Sequence, residues 1–162
     1  HEVGNHTMDH VRLDTKTNDG GYAQISATND LIASYTGQKP TLMRPTGGAY
    51  NDAVISSMQQ LGLPIILWNI DTLDWKDHDN AALIKQRIVE NAQDGAIVLE
   101  HDLNEAKVEG VLAAIDELQA QGYAFVTVSE LAQLKGVTLE PGKVYSGFTE
   151  NDTVVESGAN YS

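Results

Sequence analysis

Apolar residues along the chain alternate between short unbroken runs and longer stretches in which they recur every three or four positions. That alternation predicts βα units around a parallel sheet or barrel. The first helix falls near residues 21–35, with Ile25, Leu31, Ile32 and Tyr35 on one face and Gly37 as its stop. Thr41–Arg44 reads as a short strand, and Asn51 caps a helix that turns Val54, Ile55, Met58 and Leu61 inward before Gly62. Pro64–Ile70 is continuously apolar, the pattern of a strand buried on both faces. Asp79 or Asn80 caps a helix carrying Leu83, Ile84, Ile88 and Val89, and Gly95 separates it from a strand at Ala96–Leu99. Glu105–Gln121 is a further helix with Val108, Val111, Leu112, Ile115 and Leu118 inward. Tyr123–Val128 reads as another strand, and Ser129 caps a last helix running to Leu134. At least four βα repeats result, and after Gly136 the pattern dissolves into a wrapping segment and tail.

The chain's 162 residues fit one domain or most of one, and a 41% hydrophobic content can supply its core. Acidic residues outnumber basic ones by 23 to 10, for a net charge of −13, which disfavours nucleic acid and anionic membranes as partners. A neutral polymer such as a polysaccharide is compatible with it, as is simple solubility. There is no cysteine, so disulfides and thiolate chemistry are excluded. No apolar run approaches the ~18 residues needed to span a bilayer. The chain opens at His1-Glu2-Val3 without Met, and a removed upstream segment is the expectation.

In α/β architectures ligands bind at the carboxyl ends of strands, and Arg44, Asp71 and His101 each fall at or just past such an end. His6 and His10, four apart, present both imidazoles to one cation if they lie on a helix face. An exposed, unliganded pair fits the same spacing, and Asp9 reads as a ligand, a partner of His10 or a solvated acid. His101 ends the apolar run 96–99, either satisfied by a backbone carbonyl or working as a general acid, since histidine ordinarily titrates near pH 6.5. Asp71, Asp74 and Asp102 are candidates to hold its tautomer. The glycines of Arg44-Pro45-Thr46-Gly47-Gly48 let backbone amides approach a substrate, and Arg44 can clamp a carboxylate or simply precede a turn. Trp68 reads as core, and Trp75 as part of a sugar-stacking wall. No phosphate loop, dinucleotide fingerprint or Gly-x-Ser-x-Gly elbow occurs.

Taken in order, these motifs resemble the polysaccharide deacetylases with a NodB-homology domain, carbohydrate esterase family 4. His6-Thr7-Met8-Asp9-His10 resembles the family's His-Ser/Thr-x-x-His metal motif, and Arg44–Gly48 its Arg-Pro-Pro-Tyr-Gly turn. Asp71–Trp75 is similar to its Asp-x-x-Asp-Trp motif, Leu99-Glu100-His101 to its Leu-x-His motif, and 123–131 to its last strand and helix. The resemblance implies a distorted (β/α) barrel of NodB type and a hydrolase that removes acetyl groups from a polysaccharide by breaking a non-peptide C–N amide bond. It implies that His6 and His10 bind zinc or another divalent ion such as cobalt, and that Arg44 holds the catalytic-base aspartate. Gly47 would donate an oxyanion amide, Leu99 line the acetyl-methyl pocket, and His101, supported by Asp74, protonate the leaving amine. Asp71 and Trp75 would border the substrate.

Two departures accompany it. The family's Thr-Phe-Asp-Asp-Gly-Pro motif, source of the base and the third metal ligand, does not occur in these residues, and Thr46-Gly47 replaces Pro-Tyr. The expectation is therefore the C-terminal larger part of such a domain at 1–145, lacking its first strands and helices and paired with a missing N-terminal segment, then a tail or linker at 146–162. Peptidoglycan N-acetylglucosamine is the leading substrate, with chitin or acetyl-xylan as alternatives and a non-catalytic carbohydrate- or metal-binding fragment as another reading. The resemblance further implies a bacterial, extracellular or cell-surface location; no membrane anchor is visible in the sequence.

Overall fold

The computed structural model describes residues 1–77 and 79–150; His78 and the part of the predicted tail from residue 151 on lie outside the described residues. The chain forms two compact units, one of His1–Leu67 with Ala132–Tyr145, the other of Trp68–Leu131 with the described residues from Ser146 on.

In the first unit a parallel ladder runs from Asn5 to Met43, from Met43 to β1 (Ile65–Ile66), and from β1 to β4 (Val144–Tyr145). Each step is stitched by backbone bonds such as Arg44 N–H to Asn5 C=O at 2.9 Å and Ile66 N–H to Met43 C=O at 2.8 Å. The predicted Thr41–Arg44 strand thus shrinks to one bridging residue, and β4 arises where no strand was expected, because Ile65 N–H and Leu67 N–H need acceptors that Lys143 and Tyr145 supply. The short helix α1 (Leu13–Lys16), also unforeseen, buries Leu13. α2 (Tyr22–Thr36) ends at Gly37, whose φ of 80° closes the last turn. Its inward face is Ile25, Thr28 and Asn29, whereas Leu31 and Tyr35, expected inside, are exposed. α3 (Asp52–Leu61) starts at the Asn51 side chain, which accepts the Val54 N–H at 3.0 Å, and buries Val54 and Met58.

In the second unit β2 (Ile70–Asp71) pairs in parallel with β3 (Val98–Leu99), with Asp71 opposite Leu99. The expected strand Pro64–Ile70 is therefore two strands, each in a different sheet. The local cause is Asn69, whose side chain accepts the Ile97 N–H at 2.9 Å in place of a regular ladder bond. Trp68, expected in the core, is only half-buried. Asn80 and Asn104 cap α4 (Ala81–Asn91) and α5 (Glu105–Ala120) by accepting the N–H three residues on, each at 3.0 Å. These helices pack through Ile84, Ile88, Ala114 and Leu118. Fully burying each isoleucine is worth about 1.5–3 kcal/mol.

The buried stripe of α5 is Lys107, Gly110, Ala114 and Leu118, so Val108 and Leu112, expected inside, face outward. Gly110 sets that rotation: a Cβ there would lie 2.7 Å from Ala81 C=O and 3.0 Å from Ile84 Cβ. Among the described residues Tyr123–Thr127 pairs with no strand, Phe125 and Val126 are exposed, and Tyr123 Oη donates to Ala92 C=O at 3.1 Å. The expected strand also stops early because α6 (Val128–Leu134) begins inside it. Its cap is Thr127 rather than Ser129: Thr127 Oγ1 accepts the Glu130 N–H at 3.2 Å while Glu130 Oε2 accepts the Thr127 N–H at 2.8 Å. Ala96 forms an antiparallel bridge to Gly147. No helix among the described residues is long and apolar enough to cross a membrane.

Gly110→Ala is expected to lower stability by about 1–3 kcal/mol, in spite of alanine's helix-propensity gain of about 1 kcal/mol. Urea unfolding checks this; a stabilised variant would show that the α4–α5 contact is looser than the geometry describes.

Candidate active site

His6 and His10 do not share a helix face. Residues 5–12 form a bridge residue, a bend and irregular backbone, with Thr7 at φ 73° and His10 at φ 53°. The predicted proximity arises by another route, since the two rings lie edge to face with centroids 5.2 Å apart. Side chains hold this turn. Asn5 Oδ1 accepts the Thr7 N–H at 2.9 Å, and Gln24 Oε1 accepts the Met8 and Asp9 N–H groups at 3.0 and 3.1 Å. Gln24 Nε2 donates to Asp9 Oδ2 at 2.8 Å, which makes Asp9 a structural partner of the turn. Asn5 is itself buried, its amide donating to Ile25 C=O at 2.9 Å and to Asn29 Oδ1 at 2.7 Å.

His6 Nδ1 stands 2.6 Å from the Arg44 carbonyl oxygen. A carbonyl only accepts, so Nδ1 carries the proton and the neutral ring's lone pair sits on Nε2. Arg44 therefore contributes its backbone here, and its half-buried side chain leads into the turn at Thr46–Gly48. Gly47 lies in that turn at φ 65°, exposed, with open space where a side chain would stand. Thr46 is buried, its Oγ1 3.3 Å from the Thr7 hydroxyl.

The second unit assembles a different cluster. Asp71, at the end of β2, folds its carboxylate back to accept the Leu73 N–H at 2.8 Å, with Leu73 at φ 53°. That turn is held from α4 by Arg87, which donates to Thr72 C=O at 2.8 Å and to Asp77 Oδ2 at 2.6 Å. It carries Asp74 into complete burial and leaves Trp75 51% exposed. Asp74 Oδ2 accepts the His101 backbone N–H at 2.6 Å, and Asp74 Oδ1 receives the His101 ring Nδ1 at 2.9 Å. The carboxylate thus fixes both the backbone and the ring of His101 and leaves Nε2 as the position that exchanges a proton. Leu99, two residues earlier, is buried in β3.

Burial works against the charge on Asp74, yet hydrogen bonds from the His101 ring and backbone, with the charges of His101 and Lys107, hold the carboxyl below its ordinary range. Sequence reasoning missed Lys107, whose ammonium lies 3.8 Å from Asp74 Oδ2 and whose side chain is only 3% exposed. It also assigned no role to Asn5 or Gln24. The signal for Lys107 was its place three residues before Gly110 and seven before Ala114 on one helix stripe.

The polysaccharide deacetylase family model matches residues 1–66. The peptidoglycan-N-acetylglucosamine deacetylase PgdA of Listeria monocytogenes is 39% identical over 154 residues, covering 95% of this chain and 32% of that protein. A T48 deacetylase solved with substrate superposes with a TM-score of 0.81 at 33% identity, over 90% of this chain and 70% of the other. A family 4 acetyl xylan esterase from Clostridium thermocellum, in complex with a cobalt ion, gives a TM-score of 0.82 at 27% identity, over 91% and 72% of the two chains. The chain belongs to the polysaccharide deacetylase family, whose fold is the NodB-type distorted (β/α) barrel. It spans about a third of the length of the Listeria protein.

Deacetylases of this family are metal-dependent. The His6–His10 pair fits two ligands of such a site, because the Nδ1 contact to Arg44 C=O fixes one ring in the tautomer that metal-binding histidines adopt. Among the described residues no third His, Cys, Asp or Glu completes a metal-sized cluster with them.

Two outcomes follow. Asn5→Leu, which strands Thr7 N–H, Asn29 and Ile25 C=O, is expected to cost about 2–5 kcal/mol in urea unfolding. For Asp74, a folded-state pKa below the ordinary value means its stabilisation is complete above about pH 3.9 and is lost as pH falls through the lower folded value. The stability difference between the unsubstituted chain and Asp74→Asn is therefore expected to shrink as pH falls below about 4. A pH-independent difference would contradict an ionised, partnered Asp74.

Proposed function

We propose that this chain is part of a metal-dependent deacetylase that removes acetyl groups from N-acetylglucosamine residues of bacterial peptidoglycan outside the cell. The observation that carries the reading is the buried Asp74 carboxylate bonded to both the ring Nδ1 and the backbone of His101. Identity of 39% to a peptidoglycan deacetylase supports the substrate.

In this reading His6 and His10 hold a divalent ion, zinc by preference, which when bound polarises the acetyl carbonyl and the attacking water. The third ligand and the base come from an Asp-Asp motif that these 162 residues do not contain, and Arg44 orients that base. Water adds to the acetyl carbon as that base takes its proton, the C–N bond breaks, and His101 Nε2 delivers the proton that the departing amine nitrogen takes up. Asp74 keeps the His101 ring turned for that transfer. The amide at Gly47 donates to the carbonyl oxygen as it gains charge, a role suited to a glycine turn with open space beside it. Leu99 supplies an apolar wall for the acetyl methyl, the exposed Trp75 ring a platform for a sugar, and Asp71 shapes the loop between them. Residues 1–145 act as the C-terminal larger part of the catalytic domain.

Acetate release is the test, measured on peptidoglycan, chitin oligomers and acetyl-xylan, with zinc or cobalt against chelator. It is run for the chain alone and together with a polypeptide carrying the Asp-Asp motif. Peptidoglycan is expected to be preferred, chelation to abolish release, and His101→Asn to lower it by about 100-fold or more. Glycan binding without acetate release under every condition would make the chain a carbohydrate-binding module instead.

A further inference from the structure

Lys107 occupies a position that packing alone gives no reason to fill with a charge. It is the first residue of the α5 stripe that continues through Gly110, Ala114 and Leu118, and its side chain is 3% exposed. An apolar residue there would avoid the several kcal/mol that removing an ammonium from water costs. The carboxylate it approaches is Asp74, at 3.8 Å, whose other partners are the His101 ring and backbone N–H. The neighbouring cation on α4, Arg87, is committed to Asp77 and the Thr72 carbonyl. The charged groups on Asp74 are thus His101, just beyond β3, and Lys107 on α5.

We propose that Lys107 is a positioning residue for the Asp74–His101 pair, its ammonium sharing the negative charge of the buried carboxylate so that a protonated His101 releases its proton more readily than it would beside an unshared carboxylate. The physical logic is a charge count. With Lys107 present, a neutral His101 leaves the cluster balanced and a protonated one leaves it with an excess positive charge in a poorly solvated place. Without Lys107, Asp74 would hold the imidazolium as its sole counter-ion, which orients the ring but retains the proton. The catalytic meaning of this effect rests on His101 being the proton donor of the proposed deacetylation.

The test reads the proton directly. Imidazole resonances of the full chain are followed by NMR across pH, His101 being assigned from its loss in His101→Gln. Lys107→Met is expected to move the His101 midpoint upward by between about half and one and a half pH units, the range one nearby charge gives between water-like and protein-like screening. Lys107→Arg, which keeps the charge, is expected to leave it within about 0.3 unit, a small fraction of that shift. A lysine that only fills space predicts no shift in a folded Lys107→Met, and that result overturns the proposal, as does an equal shift in Lys107→Arg. If Lys107→Met does not fold, the double variant Asp74→Asn with Lys107→Met decides. Recovered folding supports charge sharing, since neither charge is then left buried alone; continued failure overturns it. Because the readout is the imidazole, it stands apart from acetate release: loss of the enzymatic reading appears as no acetate from the unsubstituted protein, whatever the titration gives.

Discussion

Asn5 and Asp74 are almost completely removed from water, at 1% and 0% exposure, and the cost of burying such groups without partners governs the geometry around each. Asn5 spends its amide on α2 and its carbonyl oxygen on Thr7, so one side chain ties the histidine turn to a helix while its backbone joins the ladder beside Met43. Asp74 spends its two oxygens on the ring and backbone of His101, with Lys107 against one of them. In each unit the chain's orientation at the site follows from satisfying one buried polar residue.

This explains which parts of the fold were legible in the sequence. Helices announced themselves through caps whose chemistry is local: Asn51 and Asn80 each accept an N–H three residues on, and Gly37 and Gly62 take up the left-handed conformation that ends α2 and α3. Strands were less legible. Two-residue strands such as β1 and β4 exist through partners far away in sequence, and the division of Pro64–Ile70 depends on the Asn69 side chain intercepting Ile97. The inward faces of α2 and α5 were misjudged for one reason. Both helices bury polar side chains, Thr28 and Asn29 on the one and Lys107 on the other, where a count of apolar residues looks for leucine and valine.

The same limit applied to the candidate site. Residue types and their order made His6, His10, Asp74 and His101 visible, and Asp74 could be singled out as the support of His101 through the family resemblance. What holds them could not be seen. Gln24, fifteen residues from Asp9, and Arg87, fifteen from Thr72, meet their partners only after the chain has folded back on itself. The histidine spacing pointed to the correct neighbourhood through the wrong geometry, since a bent turn brings the rings together as well as a helix face does.

Backbone strain is concentrated in the segments that carry the candidate residues. Among the described residues, three other than glycine have left-handed backbones: Thr7, His10 and Leu73. Each sacrifices on the order of 1–2 kcal/mol relative to an ordinary conformation. All three lie in the two segments that carry the candidate residues, His6–His10 and Asp71–Trp75. In both segments the strained turn is held by side-chain acceptors, Asn5 and Gln24 in one and Asp71 in the other. Folding alone gives no reason to use threonine, histidine and leucine where glycine would relieve the strain, as glycine does at the ends of α2 and α3. Strain maintained by dedicated hydrogen bonds fixes where the candidate imidazole and carboxylate groups stand in these two segments.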